Sequence, residues 1–397
     1  DDIISELRHK IFMATKRQMI SDVPVGVMLS GGVDSTTLAT LMTDIAGVPI
    51  KSFTIGFEGD FKYNELVSSK SVADQIGSIY HEEIASADDY INLLPLSIWH
   101  LEEPVATAST VAFYMICRLA AKHVKVVLSG QGADEAFAGY PRHLGERYGM
   151  FYRFLPAFLR NKLITPLISH LPRNEQLKRA VGSLHEVDPL KRITKVYNTI
   201  DLKLVQALCR DEFRQTNNSF AEAAGLWQSD VDGLDGLSQM LYIDSRLSLP
   251  DNLLMYSDKM SMAVSLEARV PYLDLELMQY VERLPSSLKI KGLTQKYILK
   301  QAVSKWISPE VINRKKIGFT TPVDNWFQTQ LGYTIKDRLL ANDSACTTFL
   351  NSEIIRTMID DHQRKSHDYK RILFSLLTFE IWHELYIKPS KWSSISN

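Results

Sequence analysis

The chain has 397 residues, 45 lysines and arginines against 46 aspartates and glutamates, 45% apolar residues and 23% charged ones. That length suits one large or two medium globular domains, the composition excludes a disordered or collagen-like chain, and a net charge of −1 lacks the basic footprint of a general nucleic-acid binder. No apolar run approaches the roughly 20 residues that span a bilayer, and Cys117, Cys209 and Cys346 form neither a disulfide framework nor a metal spacing, so a cytoplasmic setting is expected.

The first residue is Asp rather than Met, which reads as a fragment or a processed chain, and the opening segment lacks the charged-then-apolar layout of a signal sequence. Ile4, Leu7, Ile11 and Phe12 recur at helical spacing and predict an amphipathic helix. The β-branched run from Val23 to Leu29 predicts a buried strand ending in Ser30-Gly31-Gly32-Val33-Asp34-Ser35, and Thr36 to Ile45 predicts a helix. Lys51 to Phe57 predicts a second strand, Asn64 to Ile76 a helix, Ile79 to Ile84 a third strand, Thr110 to Lys122 a helix and Lys125 to Ser129 a fourth strand. Such alternation gives an α/β class: a parallel sheet covered by helices, with ligands at the carboxyl ends of the strands. Both Ser30-Gly31-Gly32 and Ser129-Gly130-Gln131-Gly132 fall at such ends.

Beyond residue 145 aromatic and leucine residues recur at spacings of three and four, broken by Pro156, Pro166, Pro172 and Pro189. The expected division is therefore an α/β nucleotide-binding core over 1–145, and a largely helical region over 146–397 that completes the same domain. Residues 141–200 carry eleven Lys/Arg against four Asp/Glu. Solvated helix faces are the common cause of such a bias, and docking of a partner domain or an anionic surface is the other. There is no internal repeat.

The segment Ser30 to Ser35 carries the sharpest chemistry. Glycines after a strand let the backbone turn tightly and approach a ligand. The amides that open the next helix aim unpaired N–H groups and a positive dipole end at an anion. Asp34 would repel a phosphate directly, so a bridging Mg²⁺ is implied. The lysine-bearing G-x-x-x-x-G-K loop is absent. SGGVDS instead resembles the pyrophosphate (PP) loop of enzymes that split ATP between its α and β phosphates.

Three further blocks narrow the resemblance. Leu128 to Tyr140 (LSGQGADEAFAGY) is similar to the second nucleotide-site motif of asparagine synthetases, usually near LSGEGADELFGGY. Ser261 to Asp274 (SMAVSLEARVPYLD) resembles that family's SMA…LE.R.PFLD stretch, and Arg314 to Phe319 with Pro322 and Trp326 resembles its RKKxGF…P…W block. The blocks stand in family order across essentially the whole chain. They identify the synthetase half of a glutamine-dependent asparagine synthetase or a close relative, with the fold of adenine-nucleotide alpha-hydrolases. The glutaminase half that normally precedes it starts with a cysteine, and no cysteine precedes Cys117 here. The resemblance then implies use of free ammonia, unless glutaminase lies on a removed segment or a separate subunit. A homodimer is compatible with it, and nucleic acid is not an expected partner.

The reaction so implied is ATP-dependent: an aspartate carboxylate attacks the α-phosphorus, pyrophosphate leaves, and ammonia displaces AMP to give asparagine. Asp34 and Asp134, at the ends of two strands, are the expected Mg²⁺ ligands. Lys296 and Lys316 correspond to family lysines that contact the phosphates, and Lys316 also suits charge on the adenylate. Leu29, Ser30, Gly31, Gly32, Ser35, Ser129 and Gly130 would line the phosphates. Ile55, Gly56 and Phe57 would border the adenine, an ordinary buried strand being the competing account of the two side chains. Ser109 and Thr110 match a stretch near the acceptor, or cap a helix. Gly132, Asp251 and Glu267 are further substrate candidates, with Asp258 weaker. A Glu267–Arg269 ion pair beneath the site is the alternative for that glutamate.

One departure concerns the acceptor. The family's SGEG glutamate, viewed as helping to remove a proton from the amine, is Gln131 here, and an amide orients by hydrogen bonds without accepting a proton. Ala138 stands where glycine is usual. The competing readings are a sibling amide ligase (sugar-acid amidation, β-lactam or peptide macrolactam formation) and a non-catalytic regulator that only binds nucleotide. A tRNA-modifying enzyme with the same loop would want a basic RNA surface or reactive cysteines, which the chain does not offer.

Overall fold

The computed structural model describes residues 2–59, 64–169, 175–198, 200–214, 219–315, 318, 321–328 and 330–388. Five parallel strands form one sheet in the order β3-β2-β1-β4-β5: β1 (Val25–Met28), β2 (Lys51–Phe57), β3 (Ile79–Ala85), β4 (Val126–Leu128) and β5 (Glu267–Arg269). The first seven helices are α1 (Asp2–Gln18), α2 (Val33–Ala46), α3 (Leu66–Ile76), α4 (Ala87–Leu101), α5 (Ser109–Ala121), α6 (Ala133–Phe137) and α7 (Pro141–Phe154). Helix starts and stops follow the residues: Gly47 and Gly77 close α2 and α3 with positive φ, as a left-handed cap requires.

Every predicted strand forms within a residue or two of its expected bounds. Strand β5 and the helices α4 and α6 escape the sequence reading. Strand β5 is the three residues Glu-Ala-Arg, at the centre of a short apolar/polar alternation from Val264 to Val270 that the sequence reading passed over, and α4 contains Pro95 within its span.

The chain divides into two compact units. One comprises residues 1–90, 109–144 and 237–321, and the other residues 91–108, 145–236 and 322–397. The expected break near 145 is present, but the split into 1–145 and 146–397 needs correction. Residues 237–321 belong with the sheet because they supply β5, which pairs with β4 in register Val126 to Glu267 and Leu128 to Arg269. They also supply the helix Tyr297–Val303, whose Ile298, Leu299, Ala302 and Val303 join Leu7, Ile11 and Leu38 in the core. A long π-helical stretch, Asp244–Leu254 around Pro250, leads into helix Met255–Met262 in the same unit. The second unit is helical.

Strand order fixes where a ligand can sit. From β1 the chain goes outward to β2 and β3, then crosses to β4 on the other side of β1. The loops after β1 and β4 therefore flank a topological switch point, the crevice in which doubly wound sheets bind ligands.

Candidate active site

The loop after β1 is tied down by its own residues. Ser30 Oγ and Ser35 Oγ are 2.9 Å apart, Ser30 N donates to Ser35 Oγ at 3.1 Å, and Gly32 N donates to Ser30 Oγ at 3.3 Å. Gly31 has φ 74°, and a Cβ there would lie 2.6 Å from the carbonyl carbon of Ser68, so both conformation and space demand glycine. Ser68 Oγ in turn donates to Ser30 O at 3.1 Å. The loop after β4 presses on the first: a Cβ at Gly130 would stand 3.1 Å from Asp34 Cβ. Asp34 opens α2 and Asp134 opens α6, each from a glycine that precedes the helix.

The two aspartates meet on one cation. Lys296 Nζ lies 2.7 Å from Asp34 Oδ2 and 2.6 Å from Asp134 Oδ1, with the lysine only 5% exposed. Lys296 caps its helix with φ 52°, a left-handed conformation rare outside glycine. The packing is tight enough that a Cβ at Gly139 would fall 1.9 Å from Asp134 Oδ1 and 2.3 Å from Lys296 Cε. Two carboxylates facing a single cation position are hard oxygen donors of the kind Mg²⁺ takes, so the residues fit the implied metal.

Surrounding groups fix this triad. Tyr272, fully buried, donates its hydroxyl to Asp34 O at 3.1 Å, and burial raises its phenol far above the ordinary value. Arg314 Nη1 donates to Gly31 O at 2.6 Å. Tyr140 donates to the buried Glu135 carboxylate at 2.5 Å, and burial raises the Glu135 carboxyl above the usual range. Lys300, one turn beyond Lys296, is pushed below the ordinary ammonium value by partial burial and then by Lys296 itself. None of Ser68, Tyr272, Arg314 or Lys300 was singled out from the sequence. Tyr272 and Arg314 lie inside blocks that resemble the family, and that was the available signal. Ser68 gave none.

Gln131 is held as an amide. Its Nε2 donates to Ser257 Oγ at 2.7 Å, and Ser257 Oγ donates to Leu253 O at 2.6 Å. Gln131 Oε1 is buried and accepts no hydrogen bond among the described residues.

The remaining candidates scatter. Leu29, Ile55, Phe57 and Ser129 are buried at the carboxyl ends of β1, β2 and β4. Gly56 owes its lack of a side chain to packing, since a Cβ would lie 2.4 Å from Leu66 Cδ1. Gly132 caps α6 with φ 87° against Leu273. Ser109 and Thr110 begin α5, with Thr110 buried. Asp251 is exposed on the π-helical stretch and Asp258 on the helix after it, and among the described residues Asp251 bonds to neither loop. Glu267 needs correction as a substrate group. It starts β5, opposite Val126 at the amino end of β4, and so lies at the wrong edge of the sheet. There it pairs with Arg269 at 2.7 Å with its side chain 57% exposed, an ion pair at the surface rather than beneath the site. Lys316 lies outside the described residues.

In the helical unit, Asp324, His362 and Asp368 bring ligand-type atoms within 4.8 Å of one another. Tyr369 N donates to His362 Nδ1 at 3.2 Å, which leaves the ring proton on Nε2, 3.5 Å from Asp324 Oδ1. A metal on that nitrogen would need the opposite tautomer.

The sequence pattern of the asparagine synthase family matches residues 6–384. A putative glutamine-hydrolysing asparagine synthetase of Mycobacterium tuberculosis is 33% identical over 407 residues, covering 100% of this chain and 59% of that protein. Asparagine synthetase 1 of Bacillus subtilis is 28% identical over 98% of this chain and 60% of its own length. A more distant relative, an amidase of Penicillium rubens, is 24% identical over 82% of this chain and 53% of its own. The chain thus spans about 60% of the length of the first two synthetases.

Proposed function

The chain belongs to the asparagine synthase family, and from that premise we propose that it makes an amide through an acyl-adenylate, with aspartate, ammonia and ATP giving asparagine, AMP and pyrophosphate. The observation that carries this reading is the triad of Lys296 with Asp34 and Asp134 at the tips of β1 and β4. Joining a carboxylate to a polyphosphate brings anions together, so the site must first neutralise charge. Asp34 and Asp134 would hold Mg²⁺, which supplies charge neutralisation at the phosphates. Backbone amides from Gly31 to Ser35 and Gly130 would receive the phosphate oxygens. Lys296, already between the two carboxylates, would contact the phosphates. Adenine would lie along Ile55 to Phe57, and Lys316 is assigned to the adenylate through its motif. In a full system the nitrogen would come from glutamine, and the cytoplasm is the proposed compartment.

A second reading, an amide ligase for another carboxylate, is favoured by one observation. Gln131 is anchored through Ser257 as a hydrogen-bonding group where the family has an acid. A regulator that only bound nucleotide would release no pyrophosphate with any carboxylate. Release of pyrophosphate and AMP, measured with aspartate plus ammonium and with a panel of other carboxylates, separates the readings. Pyrophosphate formed only with another carboxylate selects the second, and orthophosphate as product sinks both.

A further inference from the structure

The basic bias of residues 141–200 has no part in the chemistry above. Helix α7 buries Glu146 and Gly149 at a spacing of three, with Gly149 against Leu184, and Glu146 clamped by Arg192 at 2.6 Å. The exposed surface of its last turn is apolar: Met150, Phe151 and Phe154 are exposed, Phe154 by 78%. After Pro156 the chain continues as a helical run over 157–169 that exposes Phe158, Leu163 and Leu167, the last by 71%. Large apolar side chains exposed in such density mark an interaction surface. The same segment is free of acid: residues 147–174 contain five Lys/Arg and no Asp/Glu. Arg147, Arg160 and Lys162 form no ion pair among the described residues, with Lys162 exposed and Arg160 half-buried at its Nε, whereas Arg153 is turned inward and loses some basicity to burial.

We propose that this face, residues 150–167 with Arg147, Arg160 and Lys162, lies on an anionic lipid surface. Exposed aromatic and aliphatic residues flanked by unpaired cations are what an interfacial helix presents to the boundary of headgroups and acyl chains. Its cations then meet lipid phosphates across a short, salt-screened distance. A second copy of the chain is the poorer occupant, because a two-fold contact would set these unpaired cations against their own equivalents. No described helix is long and apolar enough to cross a membrane, so the association is one of lying on the surface.

Co-sedimentation with phosphatidylcholine vesicles, with and without phosphatidylglycerol, tests this on the whole chain. Binding is expected only with the anionic lipid and should weaken as salt rises. Two exposed-site variants serve: Phe151→Ser/Phe154→Ser/Phe158→Ser and Lys162→Glu. Each should lower partitioning by roughly tenfold or more, with thermal melting unchanged. Absent or lipid-independent binding overturns the proposal. So does a serine variant that alters the sedimentation coefficient of lipid-free protein while vesicle binding persists, since the face would then contact protein.

Discussion

Lys296 Nζ sits 2.7 Å from Asp34 Oδ2 although the two residues are 262 positions apart, and the same nitrogen holds Asp134. Replacing the lysine by methionine keeps the volume and strips the cation from between two largely buried carboxylates. Breaking a buried ion pair at one end typically costs about 3–5 kcal/mol. Lys296→Met is therefore expected to lower the unfolding free energy from urea titration by about that amount and to abolish pyrophosphate exchange. Magnesium should restore part of the melting temperature in the variant, because a divalent cation can occupy the vacated charge position. A variant of unchanged stability would show that the triad is solvated.

Gly139 and Gly145, six residues apart after β4, make a paired steric test. At Gly139 an added Cβ would strike Asp134 Oδ1 and Lys296 Cε, whereas at Gly145, inside α7, it meets nothing within 4 Å. Gly139→Ala should disrupt the triad, lowering both stability and adenylation. Gly145→Ala should stabilise by up to about 1 kcal/mol, the difference in helix propensity. Equal behaviour of the two variants in thermal melts would contradict the close packing around Asp134.

Gln131 and Ser257 predict a selective effect on the second half-reaction. Ser257 Oγ accepts from the Gln131 amide while its own proton goes to Leu253 O, so a carboxylate at 131 would face an oxygen already committed as a donor elsewhere. Gln131→Glu should leave pyrophosphate exchange near wild type. It should also change the pH–rate profile of amide formation by adding a titrating group. Identical profiles for both proteins would mean that residue 131 lies away from the nucleophile.

The parts of this architecture that were legible in sequence are those with local signals. Apolar periodicity and glycine punctuation marked β1 to β4 and the loop at Ser30 to Ser35, because strand, turn and helix start are properties of neighbouring residues. Long-range juxtaposition was not legible. The alternation from Val264 to Val270 marks a strand without saying that it completes the sheet edge beside β4, and nothing near Ser68 reveals its bond to Ser30 O. The convergence of Asp34, Asp134 and Lys296 was approached through motif resemblance, but the ion pairs themselves depend on Gly139 leaving room for them, which only packing discloses. Glu267 shows the opposite failure, since a motif position does not say at which end of a strand a residue falls.

Arg314 extends the site beyond its charged centre. Its guanidinium reaches Gly31 O at 2.6 Å and also pairs with Glu310 at 3.0 Å, so it braces the loop whose amides face the phosphates. Arg314→Ala removes a charge-assisted hydrogen bond of about 1.5–3 kcal/mol. Because the bond is made in the fold itself, the variant should lose stability by about that amount, and the unbraced loop should raise the KM for ATP by roughly tenfold or more. A loss in kcat with KM unchanged would instead place the arginine at the reacting phosphorus.

His143 contributes a pH dependence to the fold. It is fully buried, accepts from Tyr140 N on Nδ1 at 3.3 Å, and meets Asp244 Oδ2 at 2.6 Å through Nε2, with Arg142 on the same carboxylate. Burial holds the imidazole below the ordinary 6.5, Asp244 opposing that shift and Arg142 adding to it. Because the folded value lies below the unfolded one, the unfolded chain takes up a proton first as pH falls. The contribution is whole above about pH 6.5 and is lost as pH falls toward the folded value, at a slope of up to ~1.4 kcal/mol per pH unit for one proton. His143→Gln can keep both hydrogen bonds without titrating, so its urea stability should lack this component between about pH 5 and 7. Parallel pH profiles for the two proteins would assign the acid sensitivity to carboxylates elsewhere.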